Sequence, residues 1–249
     1  MKNQFYISTI DQNAYELADK YNLGLELAEF CTAWNMDEKF EETDKIIWQG
    51  LKNHKRIVHG PFNELFPCAI DQMIRGVCKQ RYIQAIETAK KYDCNRLVLH
   101  GGYNPRIYYP IWYAEQSPSF WRELLEYIPD DMIVCVENVF EEEPGLLAGI
   151  LRNVNDPRIR MTLDIGHSSA YGDIPVSEWI RSCGDLIDHF HIHNNEGSED
   201  THSALTEGVI PMEKILRQIE EECPHATITL EICDSEDSIR WLIEKGFIE

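Results

Sequence analysis

Residues 132–167 read MIVCVENVFEEEPGLLAGILRNVNDPRIRMTLDIGH. The stretch opens on an apolar run, Met132–Glu137, crosses a helix-like segment over residues 143–152, and returns to a second apolar run, Arg160–Asp164. Two short apolar runs separated by an amphipathic segment are the pattern of a strand–helix–strand unit in a parallel sheet covered on both faces. Each run also ends on an acid, Glu137 and Asp164. The same rhythm continues in both directions. Strands are expected at Phe5–Thr9, Leu23–Ala28, Ile57–His59, Arg96–His100, Ile187–His191 and Thr227–Glu231, with helices over 12–21, 40–53, 69–92, 118–127, 175–182, 211–222 and 235–245. In the third helix Ile70, Met73, Ile74, Val77, Ile83, Ile86 and Ala89 recur near the helical period, and Lys90 and Lys91 stand in the last turn, where cations complement the helix dipole. Eight such units in 249 residues predict an α/β protein that is one (β/α)8 barrel spanning 1–249 as a single domain. A doubly wound open sheet is disfavoured because no Gly-rich phosphate loop follows the first strand.

The formal net charge is −20, from 43 acidic against 23 basic residues, so the far field repels nucleic acid and anionic lipid surfaces. No apolar run approaches a membrane span, and the N-terminal residues lack the apolar core of a secretory signal, so a soluble, cytoplasmic protein is expected. The 8 cysteines show no C-x-x-C pair and read as reduced, mostly buried thiols.

The distribution of His, Asp and Glu carries the functional signal. His59 closes the third expected strand, His100 the fourth, Glu137 the fifth, Asp164 the sixth and Glu231 the eighth, while His191 falls in the seventh. In a barrel these positions ring the C-terminal mouth, where active sites of this fold lie. Imidazole and carboxylate are ligands for divalent ions, and several carboxylates converging in one ring need a cation to offset their repulsion. Each residue has a plainer explanation: a hydrogen-bonded structural His at position 100, salt bridges to barrel arginines for Glu137 and Glu231, and a helix cap for Asp164. Six coincidences at six consecutive strands outweigh these together. His189, His191 and His193 share one face by the two-residue strand period, and only His191 is expected at metal height, with His189 one layer deeper and His193 above in the loop.

At these residues the sequence resembles the xylose-isomerase-like barrel superfamily, which joins sugar and sugar-phosphate isomerases and epimerases to endonuclease IV. The specific pieces are Val136-Glu137-Asn138, Leu163-Asp164-Ile165-Gly166-His167, His191-Ile192-His193-Asn194-Asn195 and Asp200-Thr201-His202. The resemblance to the epimerase branch implies one divalent ion, Zn2+ first and Mn2+ second, held by Glu137, Asp164, His191 and Glu231. Glu137 and Glu231 would also be catalytic, moving protons through an enediolate of a small carbohydrate. The endonuclease branch adds equivalents of His59, His100, His167, Asp200 and His202 as ligands of a multinuclear zinc site, giving the alternative of an abasic-site endonuclease or phosphodiesterase. All nine residue types occur in the chain.

Two departures rank these branches. Hydride-shift aldose isomerases of the superfamily place a Lys two residues beyond the fifth-strand Glu, where this chain has Val139. A nuclease of this kind needs basic mouth loops to grip a duplex, yet the loop after the second strand carries Trp34, a possible wedge or substrate contact, among acidic residues. After the fourth strand, Tyr103, Tyr108, Tyr109, Trp112 and Tyr113 surround Arg106, an obvious phosphate handle, and could form either a sugar platform or a packed satellite core. A carbohydrate isomerase or epimerase is therefore the expected function.

Overall fold

The computed structural model describes residues 3–249. Eight parallel strands close into a barrel in simple chain order, β1 pairing with β2 on one side and β8 on the other. The strands are β1 (Gln4–Ser8), β2 (Gly24–Leu27), β3 (Arg56–His59), β4 (Arg96–His100), β5 (Ile133–Glu137), β6 (Ile159–Asp164), β7 (Ile187–Ile192) and β8 (Thr227–Leu230). Nine helices surround them among the described residues: α1 (Ala14–Tyr21), α2 (Phe40–Gly50), α3 (Gln72–Lys91), α4 (Pro110–Leu124), α5 (Pro144–Val154), α6 (Ile165–Tyr171), α7 (Val176–Cys183), α8 (Met212–Glu222) and α9 (Glu236–Glu244). Two short 3-10 turns, Ala28–Cys31 and Ala33–Asn35, follow β2. No helix among the described residues is long and apolar enough to cross a membrane.

The expected eight-unit barrel is thus the observed fold, with three local differences. Helix α4 begins at Pro110, eight residues before the expected start at 118, with Pro110 in its first turn and Pro118 inside it. Proline suits a first turn, so Pro118 pulls a sequence reading towards a start there. Trp112 and Tyr113 therefore belong to a helix and not to a loop. The second difference is α6, a seven-residue helix directly after β6 whose N-cap is Asp164, with Oδ1 accepting from the His167 amide at 2.7 Å. Third, apolar residues expected on the core face of this helix do not face the core: Ile70, which precedes α3, and Met73, Ile74 and Val77 within it are 66%, 81%, 48% and 52% exposed. Farther along, Tyr82, Ala85, Ile86 and Ala89 carry the packing against the barrel.

Strand residues are buried on both faces, as a helix-covered parallel sheet requires. At the N-terminal end of the barrel Arg96 and Asp188 pair at 2.7 Å between Nε and Oδ2. Toward the C-terminal end the interior becomes polar, with Glu26, His59, Glu137, Asp164, His189, His191 and Glu231 all buried.

Candidate metal centre

Register places the strand ends at one height: His100 lies opposite Glu137 across β4–β5, and Asp164 opposite His191 across β6–β7. Four side chains meet on the floor of the mouth. Around His191 Nδ1 stand Glu231 Oε2 at 3.1 Å, Glu137 Oε1 at 3.5 Å and Asp164 Oδ2 at 3.7 Å. One donor atom from each of Glu137, Asp164, His191 and Glu231 lies within 4.8 Å of the others. His59 and His100 join from the next strands, each presenting Nε2 3.3 Å from Glu137 Oε2. His167, Asp200 and His202 form a third group on the other flank, with His167 Nε2 and His202 Nε2 at 3.2 and 3.1 Å from Asp200 Oδ2.

The ring orientations are set from behind. His59 Nδ1 engages the Gly60 carbonyl at 3.0 Å, His167 Nδ1 the Asn138 carbonyl at 2.9 Å, and His202 Nδ1 the Glu231 carbonyl at 2.7 Å. In each ring Nδ1 donates to the backbone and Nε2 points inward. His191 is turned the other way, with Nε2 against Glu26 Oε1 at 2.8 Å and Nδ1 inward. The Asn138 amide joins the ends of β5 and β6, donating to the Asp164 carbonyl at 3.1 Å and accepting from the Asp164 amide at 2.9 Å. His202 holds a left-handed backbone, φ 46°, which non-glycine residues adopt sparingly and mostly where surrounding contacts fix them.

Two observations test whether these residues fit a cation. Glu137 Oε2 and His191 Nδ1 are buried without a hydrogen-bond partner, although other donors and acceptors crowd around them. Buried polar atoms are normally satisfied, so both fit a site completed by an ion. Electrostatics agree. Burial alone would raise the Glu137 carboxyl, but the His100 and His191 rings hold it well below the usual range. Burial is likewise outweighed at Asp164, kept at about 2 by His167 and His193. Against burial, the Glu231, Glu26 and Glu137 carboxylates drive His191 well above its ordinary range, and Asp200 and Glu231 push His202 up to about 9. The carboxylates thus attract protons onto imidazoles that a divalent cation would displace.

Above the floor lies a cavity of about 410 Å3, lined by His59, His100, Glu137, His167, Asp200, His202 and Glu231, with Phe62, Phe66, Tyr103, Phe140 and Tyr171 on its walls. No Lys or Arg is among the described residues lining it. Arg106 lines a neighbouring depression with Asn104, Phe140 and Tyr171, and Trp34 is 58% exposed outside the cavity. The structure therefore brings together all nine His, Asp and Glu residues singled out above and leaves Trp34 and Arg106 apart from them. Of the aromatic cluster, Tyr103 reaches the cavity, Tyr113 is buried with its hydroxyl donating to Glu141 at 2.9 Å, and Tyr109 is 81% exposed.

His189 sits one layer deeper, as expected from the strand period, with Nε2 3.0 Å from Glu26 Oε2. His193 stands one residue past the end of β7, in the loop as expected, but its ring turns back toward the centre. It is wholly buried, its Nε2 lies 3.2 Å from Asp164 Oδ1, and its ring stacks on His202 at 4.1 Å. Room for that ring comes from Gly166, where an added Cβ would lie 1.9 Å from His193 Cε1. Glu26 went unnoticed in the sequence, although an acid inside Gly24-Leu25-Glu26-Leu27 is the same signal that marks Glu137.

Residues 20–245 match the family described as xylose isomerase-like TIM barrel. Among curated proteins, the uncharacterized protein MJ1311 of Methanocaldococcus jannaschii is 27% identical over 194 residues, 74% of this chain and 66% of that protein. The uncharacterized protein MJ1188 of the same organism is 27% identical over 187 residues, 71% of this chain and 66% of that protein. The chain thus spans just under two thirds of the length of these relatives. Among solved structures, a D-tagatose 3-epimerase-like protein superposes with a TM-score of 0.78 at 23% identity, covering 99% of this chain and 97% of that one. The IolI protein with a bound zinc atom gives 0.76 at 16% identity, covering 98% and 96%. The TTHB071 protein from Thermus thermophilus, soaked with ZnCl2, gives 0.75 at 20% identity, covering 99% and 98%. At these identities the likeness establishes the fold.

Proposed function

Because the chain belongs to the xylose isomerase-like TIM barrel family, matched over residues 20–245, we propose that it is a metal-dependent isomerase or epimerase acting on a small carbohydrate. The observation that carries this reading is the set of three carboxylates around His191 Nδ1 on the floor of a cavity with aromatic walls and no Lys or Arg. Aromatic faces suit the C–H faces of a sugar, and the missing cations favour an unphosphorylated substrate over a sugar phosphate. The solved structures of similar fold include D-psicose 3-epimerase from Clostridium cellulolyticum with D-tagatose, which adds support at the level of substrate class.

Glu137, Asp164, His191 and Glu231 would hold the ion, Zn2+ first and Mn2+ second. When bound, a divalent ion supplies Lewis acidity to a carbonyl and its adjacent hydroxyl. Glu137 and Glu231 reach the same centre from β5 and from the residue after β8, so they flank whatever is seated there. One carboxylate takes the proton alpha to the carbonyl, and the other returns a proton to the opposite face of the enediolate. With Val139 on the cavity wall where hydride-shift relatives carry Lys, proton transfer is the favoured route. His59, His100, His167 and His202 line the cavity and would meet substrate hydroxyls.

A second reading is kept alive by the third group, His167, Asp200 and His202, which with His59 and His100 gives donors enough for a multinuclear zinc phosphodiesterase. The net charge of −20 and a cavity lined by no Lys or Arg among the described residues weigh against a duplex substrate. The deciding experiment is elemental analysis of protein purified without chelator, with assays on ketose epimerisation and on abasic-site DNA. One ion per chain with epimerisation is expected. Three ions with strand cleavage would replace this reading by the second.

A further inference from the structure

Glu26 is fully enclosed, 1% exposed, on β2, and it lines no part of the cavity. Its carboxylate crosses the barrel interior to β7 and β8 and takes three donors. His191 Nε2 is 2.8 Å from Oε1, while His189 Nε2 at 3.0 Å and the Thr229 hydroxyl at 2.5 Å meet Oε2. An ionised carboxylate offers only acceptors, so three donors match it without a conflicting hydrogen. Thr227 Oγ1 lies 2.7 Å from His189 Nδ1, so the deeper ring is fixed at both nitrogens.

The consequence falls on His191. Once an ion displaces its second proton, His191 would be a neutral imidazole with one N–H, which the carboxylate claims at Nε2, leaving the lone pair on Nδ1. That atom is the buried, unpartnered one surrounded by Glu231, Glu137 and Asp164. His59, His167 and His202 are steadied by neutral backbone carbonyls at Nδ1 and present Nε2. His167 Nδ1 also has Glu137 Oε1 3.2 Å away, but among these four only His191 is held at Nε2 by a carboxylate and presents Nδ1. We propose that Glu26 is a positioning residue that fixes the Nε2–H form of His191 and, by its charge, strengthens Nδ1 as the ligand of the divalent ion. The inference rests on the reading of Glu137, Asp164, His191 and Glu231 as an ion site.

Carboxylates behind a metal-bound imidazole typically contribute about 10–100-fold in metal affinity. Glu26→Gln keeps the shape and an acceptor but removes the charge. Zn2+ affinity of the parent and the variant is measured by competition with a chelating dye, and unfolding of both is followed in the metal-free state. A 10–100-fold weaker Zn2+ affinity in the folded variant is expected. If Glu26 serves only the packing of the barrel, the unfolding midpoint falls while the affinity is unchanged, and that outcome overturns the proposal. A second measurement needs no variant: long-range proton–nitrogen NMR of the zinc-loaded parent, labelled at histidine, should find His191 protonated at Nε2 and ligated through Nδ1. The reverse assignment overturns the proposal even where Glu26→Gln fails to fold. A parent that binds no Zn2+ removes the ion site itself, an outcome distinct from a parent that binds and a variant that binds equally well.

Discussion

Adding one methyl group at Gly166 should be costly, whereas adding the same group at Gly76 should be favourable. At Gly166 the new Cβ would stand 1.9 Å from His193 Cε1, 2.3 Å from Nε2 and 2.4 Å from Nδ1. Ordinary carbon contacts are about 3.5–4.0 Å, so the ring must retreat by more than ~1 Å. It has nowhere to go, being wholly buried, stacked on His202 at 4.1 Å and held 3.2 Å from Asp164 Oδ1. Overpacking costs about 1–3 kcal/mol, and a displaced hydrogen bond to a charged group about 1.5–3 kcal/mol more. After a helix-propensity gain of Ala over Gly of up to about 1 kcal/mol near the start of α6, a net loss of roughly 1.5–5 kcal/mol remains. Gly76 lies inside α3, and an added Cβ there meets nothing within 4 Å. Gly76→Ala should therefore stabilise by about 0.5–1 kcal/mol through chain entropy and helix propensity. Urea unfolding of the parent and both single variants, without metal, measures the pair. A Gly166→Ala midpoint at or above the parent's would refute the packing account of His193, and a Gly76→Ala midpoint below it would refute the reading of α3 as unobstructed there.

Three other outcomes are expected. Glu137→Gln and Glu231→Gln should each lower turnover on the responsive sugar by at least about 100-fold, since general acid–base groups contribute 10²–10⁴; near-normal turnover in either removes it from the mechanism. Chelated protein should lose stability as pH rises from 6.5 towards 8. His202, raised to about 9 in the fold, keeps a proton there that the unfolded chain has released, so its stabilisation is full below 6.5 and fades through 9, at up to ~1.4 kcal/mol per pH unit per proton. His59, His167 and His191 shift the same way, and Zn2+ should flatten the slope by replacing ring protons; an equally steep slope with Zn2+ bound would contradict this. Asp188→Ala should cost roughly 2–3 kcal/mol, below the range for a fully buried severed pair because Arg96 keeps 19% of its side chain exposed; an unchanged urea midpoint would show that water already satisfies Arg96.

The barrel was legible because its strands are apolar on both faces and short, so each stands out from the amphipathic segments around it. Where the signal is shared between two structures, the reading slipped. Pro118 is compatible with a helix start and with a tolerated interior position, and only packing against α3 and α5 lets α4 run from Pro110. The stripe Ile70, Met73, Ile74 and Val77 has true helical period, yet it faces solvent. Periodicity fixes that these residues share a face but carries no information about what that face meets.

At the site, the residues legible in the sequence are those at strand ends, because parallel register in a closed barrel brings strand ends to one height without further information. Asp164 shows why the plainer explanation and the functional one were never exclusive. Its Oδ1 caps α6 at the His167 amide while its Oδ2 stands 3.7 Å from His191 Nδ1, so one carboxylate both starts a helix and faces the centre. Trp34 and Arg106 lie on loops, whose course depends on packing that no motif specifies, and neither reaches the cavity. Glu26 is the instructive omission. It stands inside a strand and not at its end, so the rule that found the ring passes over it, while the desolvation argument applied to Glu137 holds for it with equal force. A carboxylate enclosed in the barrel interior must have donors. Counting the candidates on inward-facing strand positions, His189, His191 and Thr229, identifies the far wall of the barrel as the side that supplies all three of them.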